Sequence, residues 1–355
     1  MSWALAFAGF ALLVILHEAG HFVAAKAVGM KVEKFYLFFP PKLWSIKRGE
    51  TEYGVGAIPL GGFVKITGMN PDEEIPAEDA HRAYYHQPVW KRIVVIAAGP
   101  FVNVVIAFVI LFILAFGVQE VSSTVDVIEP DTPAAAVLQP GDRIVAVDGK
   151  RGDLEALRDQ IATHECAGDQ TAGCRAATPV ELTVIRDGRT IHVQARPEYD
   201  KEFDRPLLGF AYGSEPLNPS APEAARISGD FMWEVTTGTI GVIARIFDAE
   251  QRDQISSVVG SYEVTRQAIE FDARRALTLL AVISLSLAII NLFPFLPLDG
   301  GHIFWSLVEK VRGRPVAFSV MERASVLGFA LVLMLFAIGL SNDIGRLTGE
   351  GFDVR

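Results

Sequence analysis

The chain has 355 residues, with 32 Lys and Arg against 42 Asp and Glu, which gives a formal net charge of −10. Hydrophobic residues make up 50% and charged residues only 21%. This composition excludes an intrinsically disordered chain and a nucleic-acid-binding chain, and it predicts a membrane protein. The length also allows a soluble domain beside the membrane part.

The first predicted element is an apolar helix over residues 3–28. A helix needs about 20 apolar residues to cross a bilayer, and this segment is long enough. It lacks the basic start and the small-residue cleavage site of a signal peptide. We therefore expect it to be retained as a membrane-spanning helix.

The first helix carries the motif His17-Glu18-Ala19-Gly20-His21. Two histidines four residues apart lie one turn apart on the same helix face, so both imidazoles can reach one ion. In this motif the Glu18 position does not bind the ion but acts as the general base. An ordinary helix with polar surface residues is the alternative. Because such residues cost several kcal/mol in lipid unless they are paired, metal-bound or hydrated, we favour a metal site.

The next predicted elements are a β-hairpin and a second span. Segments 43–47 and 51–58 flank Arg48-Gly49-Glu50 and are typical of a hairpin that dips toward the metal site. An ordinary cytoplasmic hairpin is the alternative. The second span covers 93–118 and is interrupted by Gly99-Pro100 and Asn103. We assign Asn103 only a structural role.

The segment that follows the second span predicts a soluble α+β domain. Residues 180–186 and 189–196 alternate like two strands joined by a two-residue Asp-Gly turn. Residues 133–149 predict a short helix, a turn and a strand, and they resemble the PDZ pattern of bacterial proteases. The resemblance implies a PDZ-like domain over 119–200. Cys166 and Cys174 lie in this domain, and we expect them to form a disulfide outside the cytoplasm.

A linker over 201–275 contains a predicted amphipathic helix at 221–247. Its apolar residues recur at spacings of four or multiples of four; they are Ile227, Phe231, Val235, Ile243 and Phe247. This face could lie on the outer membrane surface or pack against the PDZ-like domain.

The third span, 277–293, runs into a segment that breaks the helix with Pro294 and Pro297. A catalytic zinc site takes three protein ligands, and two cysteines are too few to supply a thiolate site. Asp299 is the predicted third ligand. It lies in this irregular segment, and irregular backbone inside a membrane is tolerated where it lines a cavity. An Asp that caps the next helix is the alternative. His302 follows Asp299 too closely to bind the same ion with it.

The last predicted span covers 317–340, and the positive charges near the helix ends predict the orientation of all four. Lys and Arg collect in the loops 29–92 and 310–314, which we expect to be cytoplasmic. The termini and 119–275 are then outside, although Arg274 and Arg275 argue weakly for the reverse. His17 lies about 21 Å along the first helix, so the ion should lie in the cytoplasmic third of the bilayer.

These motifs together resemble the site-2 protease family of intramembrane zinc metalloproteases, in particular bacterial regulators of sigma-E-type signalling with one outer PDZ domain. The resemblance covers nearly the whole chain. It rests on the histidine motif, the PDZ-like domain, and three further stretches: Gly56 to Lys65, Gly99-Pro100-x-x-Asn103, and Asn291 to Gly300. Residues 258–262 depart from the family, whose members often carry a Gly-Pro-rich stretch there.

The resemblance implies that Zn²⁺ is bound by His17, His21 and Asp299 and that Glu18 is the general base. It also implies that Asn291 contacts the substrate or the tetrahedral intermediate, although Asn291 could instead join two helices by a hydrogen bond. The free edge of the hairpin would receive unwound substrate as an added strand.

The implied fold is an α-helical membrane protein with about four transmembrane helices, a membrane-dipping β-hairpin and an extracytoplasmic PDZ-like domain. Its catalytic halves are 1–118 and 276–355. The expected setting is the bacterial inner membrane, with the active site toward the cytoplasm and the lipid bilayer as surroundings. Single-span membrane proteins, such as anti-sigma factors or remnant signal peptides, are the expected substrates, and nucleic acid is not expected as a partner.

Two other functions are compatible with the same motifs. A membrane-anchored zinc protease could act on cytosol-facing or misfolded substrates, with Glu73, Glu74 or Glu78 as its third ligand. A membrane scaffold could recruit partners through the PDZ-like domain, with the histidine motif incidental.

Overall fold

The computed structural model describes residues 2–70, 73–201, 203–245 and 257–349. The helices in these ranges are α1 (Ser2–Ala27), α2 (Val89–Ala115), α3 (Leu154–Ala162), α4 (Ala221–Ala244), α5 (Val258–Phe271), α6 (Ala273–Asn291), α7 (Asp299–Arg312) and α8 (Phe318–Thr348). The strands are β1 (Val32–Arg48), β2 (Thr51–Ile66), β3 (Gln119–Ile128), β4 (Arg143–Val147), β5 (Val180–Arg186), β6 (Arg189–Ala195), β7 (Glu198–Asp200), β8 (Arg205–Leu207) and β9 (Phe210–Pro216). Two compact units result: Met1–Ala115 with Pro219–Arg355, and Phe116–Asn218.

In the described part of the first unit, four helices are long and apolar enough to cross a membrane: α1, α2, α6 and α8. Each coincides with one of the four predicted spans, so that prediction is confirmed. The largest difference is at the last span, where α8 continues past the predicted end at 340 to Thr348.

The helix α2 lies at the centre of the first unit, because it packs against both α1 and α6. A Cβ at Gly20 of α1 would lie 2.5 Å from the carbonyl oxygen of Ala98, so only glycine allows this approach of the two backbones. On the α6 side, Ser284 Oγ donates to the main-chain oxygen of Asn103 at 2.9 Å. Small residues and hydrogen bonds of this kind are what hold helices together in lipid.

The structure gives part of the apolar face of α4 a surrounding that the sequence did not predict. Phe231, Met232 and Val235 pack against an apolar cluster from α2 and α6 that includes Leu111 and Leu285. The amphipathic spacing correctly predicts a helix with a buried face, but spacing alone does not say which surface covers it. Residue 247 of the predicted helix lies outside the described residues.

The strands β1 and β2 are long and bent, and they form more than the predicted hairpin. The hairpin is present, with Arg48 paired to Thr51 and Trp44 to Val55. Residues 34–37 of β1 then pair with 52–55 on one side and with 62–65 on the other. The sheet therefore has four segments, and its two edges are 62–66 and 42–48.

The hairpin turn is tied to the end of α1 by ionic contacts of Glu50. Its carboxylate accepts hydrogen bonds from Arg82 and from Lys26, the last basic residue of α1. The hydrogen bonds from Arg82 and then Lys26 lower the pKa of Glu50 to about 2. These contacts fix the sheet relative to the helix that carries the histidine motif.

The second unit contains a five-stranded sheet in the order β6-β5-β4-β3-β9 and a two-stranded sheet β7-β8. The core of this unit includes residues of α3. The predicted two-residue turn is present, with Arg186 paired to Arg189. The compact unit continues past the predicted domain end at residue 200 to Asn218, because β9 pairs with β3. The expected disulfide between Cys166 and Cys174 is present.

An ion pair with a buried carboxylate stabilises the second unit, and its removal should be measurable. Asp142, with its side chain 1% exposed, accepts hydrogen bonds from Arg186 Nε at 2.7 Å and Nη2 at 2.6 Å. We expect Asp142→Asn to destabilise this unit by about 3 kcal/mol at neutral pH, because Arg186 loses its buried partner. Hydrogen exchange of peptides from 116–218 in the full-length protein measures this loss.

The pH dependence of this effect has a defined sign. The hydrogen bonds from Arg186 lower the pKa of Asp142, so its contribution is complete above the unfolded value of about 3.9 and disappears as the pH falls through the lowered folded value. Wild type and Asp142→Asn should therefore converge at acid pH. The exposed Asp159, changed to Asn, is the matched control and should leave exchange unchanged; equal effects of the two changes would contradict the prediction.

Candidate active site

The described residues contain a group suited to hold a metal ion, formed by His17, His21 and Asp299. Both histidines lie on α1, and each is 7% exposed. Asp299 Oδ2 lies 3.3 Å from His17 Nε2 and 3.3 Å from His21 Nε2. The two Nε2 atoms are themselves 3.3 Å apart. The residues predicted as ligands are thus brought together from two distant parts of the chain.

The chain reversal between α6 and α7 places Asp299 beside the histidines. After α6 ends, the backbone folds back so tightly that a Cβ at Gly300 would lie 2.2 Å from the carbonyl oxygen of Leu292. Glycine is required at this close approach. The helix α7 begins at Asp299 itself, and Leu298 is the residue that precedes it. The alternative in which Asp299 caps a helix that starts near His302 is therefore wrong.

The triangle of donor atoms fits a tetrahedral zinc ion. Zinc bonds to imidazole nitrogen and carboxylate oxygen are about 2.0 to 2.1 Å long, and a tetrahedron with such bonds has edges of about 3.3 Å. All three observed edges are 3.3 Å. Asp299 Oδ2 is also buried without a hydrogen-bond donor among the residues that the structure describes. A cation bonded to all three atoms would satisfy this oxygen and leave a fourth position open.

The orientation of the His21 ring is fixed by α2. Its Nδ1 lies 2.9 Å from the carbonyl oxygen of Val95, which can only accept a hydrogen bond. Nδ1 therefore carries the proton, and the Nε2 lone pair points to Asp299 and His17. Gly99 packs directly on this ring, since a Cβ there would lie 2.2 Å from His21 Nε2.

The sequence did not predict a role for Asn103 at this site. The structure places its side-chain amide 3.2 Å from His17 Nδ1, in a fully buried position on α2. The only signal in the sequence was a polar residue in an otherwise apolar span, and that signal does not say which helix the residue faces.

Glu18 lies next to the donor triangle but is not part of it. The β2 edge covers its side chain, because a Cβ at Gly62 would lie 2.1 Å from Glu18 Cγ. The free sheet edge 62–66 therefore lies beside the predicted general base. The hairpin strand 43–47 is at the opposite edge of the sheet.

The other candidate residues have different surroundings. Asn291 is the last residue of α6 and is half-buried. His302 lines a cavity of about 280 Å³ beside the buried Arg92 and is not one of the grouped donors among the described residues. Glu73, a third ligand in the alternative function, instead pairs with Lys65 at 2.7 Å and accepts from Gly68 N at 2.9 Å.

Comparisons with known proteins identify the family of the chain. The model of Peptidase family M50 matches residues 5–335. The chain is 31% identical to zinc metalloprotease Rip1 of Mycobacterium tuberculosis (strain ATCC 25618 / H37Rv), over 92% of this chain and 91% of the relative. It is 31% identical to a proposed zinc metalloprotease of Rhizobium meliloti (strain 1021), over 95% of each chain. A further proposed zinc metalloprotease, from Nostoc sp. (strain PCC 7120), is 29% identical over 99% of this chain and 98% of the relative. The chain therefore belongs to peptidase family M50, the site-2 protease family, and is a membrane zinc metalloendopeptidase.

Proposed function

We propose that this protein is an intramembrane endopeptidase that hydrolyses peptide bonds in or near the transmembrane segments of single-span membrane proteins. The observation that carries the proposal is the triangle of His17, His21 and Asp299, whose three 3.3 Å edges match a zinc coordination tetrahedron. Two of its corners lie within α1, a helix long and apolar enough to span the bilayer. Regulated intramembrane proteolysis of anti-sigma factors or remnant signal peptides is the biological process we infer.

Each predicted site residue has a proposed role. His17, His21 and Asp299 hold the zinc ion, which would polarise the scissile carbonyl and activate water. Glu18 takes a proton from the attacking water and delivers it to the leaving amine. Asn291 contacts the substrate near the end of α6. Its half-buried position is compatible with this contact.

The free edge of the sheet gives a substrate somewhere to bind once it is unwound. A transmembrane helix must lose its internal hydrogen bonds before cleavage, and exposed backbone groups are costly in lipid. The edge 62–66 can pair with such a segment as an added strand. Because Gly62 covers Glu18, a strand added here would pass close to the proposed base. This geometry favours 62–66 over 42–48 as the substrate edge.

The orientation and the role of the second unit follow from the charge distribution and the PDZ resemblance. We infer that the protein lies in the bacterial inner membrane, with the zinc site toward the cytoplasm and the unit Phe116–Asn218 outside. The second unit, as a PDZ-like domain, would filter substrates, either by excluding bulky uncut ectodomains or by binding a newly exposed C-terminus. The disulfide within it is compatible with an oxidising compartment.

The test is cleavage of a model single-span substrate by the purified full-length protein in detergent. We expect cleavage within or beside the span, about one zinc per chain, and loss of both in Asp299→Ala. A soluble substrate with the same flanking sequence but without the span should be cut poorly. If the soluble substrate is cut equally well and Glu73→Ala, Glu74→Ala or Glu78→Ala abolishes activity, the membrane-anchored protease is correct instead. Absence of zinc binding would favour the scaffold.

A further inference from the structure

The helix α2 carries a buried amide whose position the catalytic roles above do not explain. Asn103 is fully buried, and its side-chain nitrogen Nδ2 lies 3.2 Å from His17 Nδ1. Among the described residues, the amide oxygen Oδ1 has no hydrogen-bond partner. No described contact of Oδ1 therefore holds the amide in the orientation that points its nitrogen toward the histidine.

The ring nitrogen of His17 that carries the proton decides whether the oxygen or the nitrogen of the Asn103 amide must face the ring. The His17 Nε2 atom points to Asp299 Oδ2 and His21 Nε2, each at 3.3 Å. To bind a cation, Nε2 must present its lone pair, so Nδ1 must carry the proton and needs an acceptor. The oxygen and nitrogen of an asparagine amide have nearly the same shape, and their assignment follows from the hydrogen-bond network. A half-turn of the amide places Oδ1 opposite Nδ1–H.

We propose that Asn103 is a positioning residue that holds His17 in the Nδ1–H tautomer by accepting a hydrogen bond at Oδ1. The proposal rests on the proposed zinc site. It makes α2 the helix that sets both imidazoles, because the main-chain oxygen of Val95 accepts from His21 Nδ1 at 2.9 Å. The two acceptors differ in one useful respect: the main-chain oxygen cannot be removed by substitution, whereas the amide can.

The position of Asn103 also connects the three helices that build the site. Ser284 of α6 donates to the main-chain oxygen of Asn103 at 2.9 Å, and Ser284 is itself fully buried. The backbone of Asn103 is thus fixed to α6, the helix that leads to Asp299, while its side chain reaches α1. An amide held in this way can set the direction of the His17 ring relative to Asp299.

The test compares an apolar and an acidic replacement of Asn103. Asn103→Leu has similar volume but no acceptor, and it should weaken zinc binding about 10- to 100-fold, the usual effect of losing the partner of a metal-binding histidine. Asn103→Asp keeps an acceptor and should bind zinc at least as tightly as wild type. The readouts are zinc affinity by chelator competition and the visible spectrum of the Co²⁺-substituted protein. Phe101→Leu, at a 64% exposed position on the same helix, is the matched control and should bind zinc within a few-fold of wild type.

The outcomes separate this inference from the proposed function. Wild-type affinity in Asn103→Leu, or equal losses in Asn103→Leu and Asn103→Asp, would overturn the acceptor role. If Asn103→Leu fails to fold, ¹⁵N NMR of histidine in the zinc-loaded wild type decides, with His17→Ala used to assign the signal. A protonated Nδ1 in His17 is expected, and an unprotonated one overturns the inference. If wild type binds no zinc, or if His17→Ala binds it normally, the proposed zinc site fails and the acceptor role fails with it.

Discussion

Glu18→Gln should reduce cleavage of a single-span substrate by about 10²- to 10⁴-fold while zinc remains near one per chain. Gln has nearly the same shape as Glu but cannot take up and release the proton that hydrolysis requires. The donor triangle does not include Glu18, so the replacement removes no atom that would hold the ion. Glu18→Gln should therefore lose peptide-bond hydrolysis and keep zinc binding.

The measurement pairs a cleavage assay in detergent with zinc analysis of the same preparation. His17→Ala is the matched comparison on the same helix, and it should lose zinc and cleavage together, because His17 Nε2 is one corner of the triangle. Zinc loss in Glu18→Gln would mean that Glu18 holds the ion. Full activity in that variant would assign the base to another residue.

The spans and the three grouped donors could be predicted from the sequence because their signals are local. Apolar runs of about 20 residues predict helices wherever they occur, and α1, α2, α6 and α8 match the predicted spans. His17 and His21 need only helical spacing to share an ion. Asp299 could be predicted because prolines and glycines around it break the helix at membrane depth.

The parts that could not be predicted depend on which surfaces meet. The apolar face of α4 packs on α2 and α6, and the spacing of Phe231 and Val235 is the same whatever covers them. Similarly, the hairpin signal in 43–58 does not reveal that 62–66 joins the same sheet through bends in β1 and β2. Asn103 illustrates the same limit at the site, since its role depends on a contact with α1. Long-range register and helix rotation are properties of the assembled fold.

Gly99 provides a second test of the site, because it packs directly on the imidazole ring of His21, a proposed zinc ligand. We expect Gly99→Ala to weaken zinc binding at least about tenfold, with cleavage falling in parallel. The added Cβ would lie 2.2 Å from His21 Nε2 and 2.5 Å from its Cε1, far inside van der Waals contact. The ring cannot turn aside freely, since Nδ1 is bonded to the Val95 oxygen at 2.9 Å. Zinc affinity by chelator competition measures the effect.

The control uses a helical glycine with free space around it. A Cβ at Gly238 of α4 meets no atom of the described residues within 4 Å, so Gly238→Ala should leave zinc binding unchanged and stabilise the helix slightly. The intrinsic helix preference is the same for both changes, and only the contact with His21 differs. Normal zinc affinity in Gly99→Ala would show that the ring has room to move.

Gly62→Ala would place a Cβ 2.1 Å from Glu18 Cγ and not against a proposed zinc ligand. This variant should therefore slow cleavage and retain zinc. If Gly99→Ala loses zinc and Gly62→Ala retains it, the ion lies on the side of α1 that faces α2, and the proposed base lies on the side that faces β2.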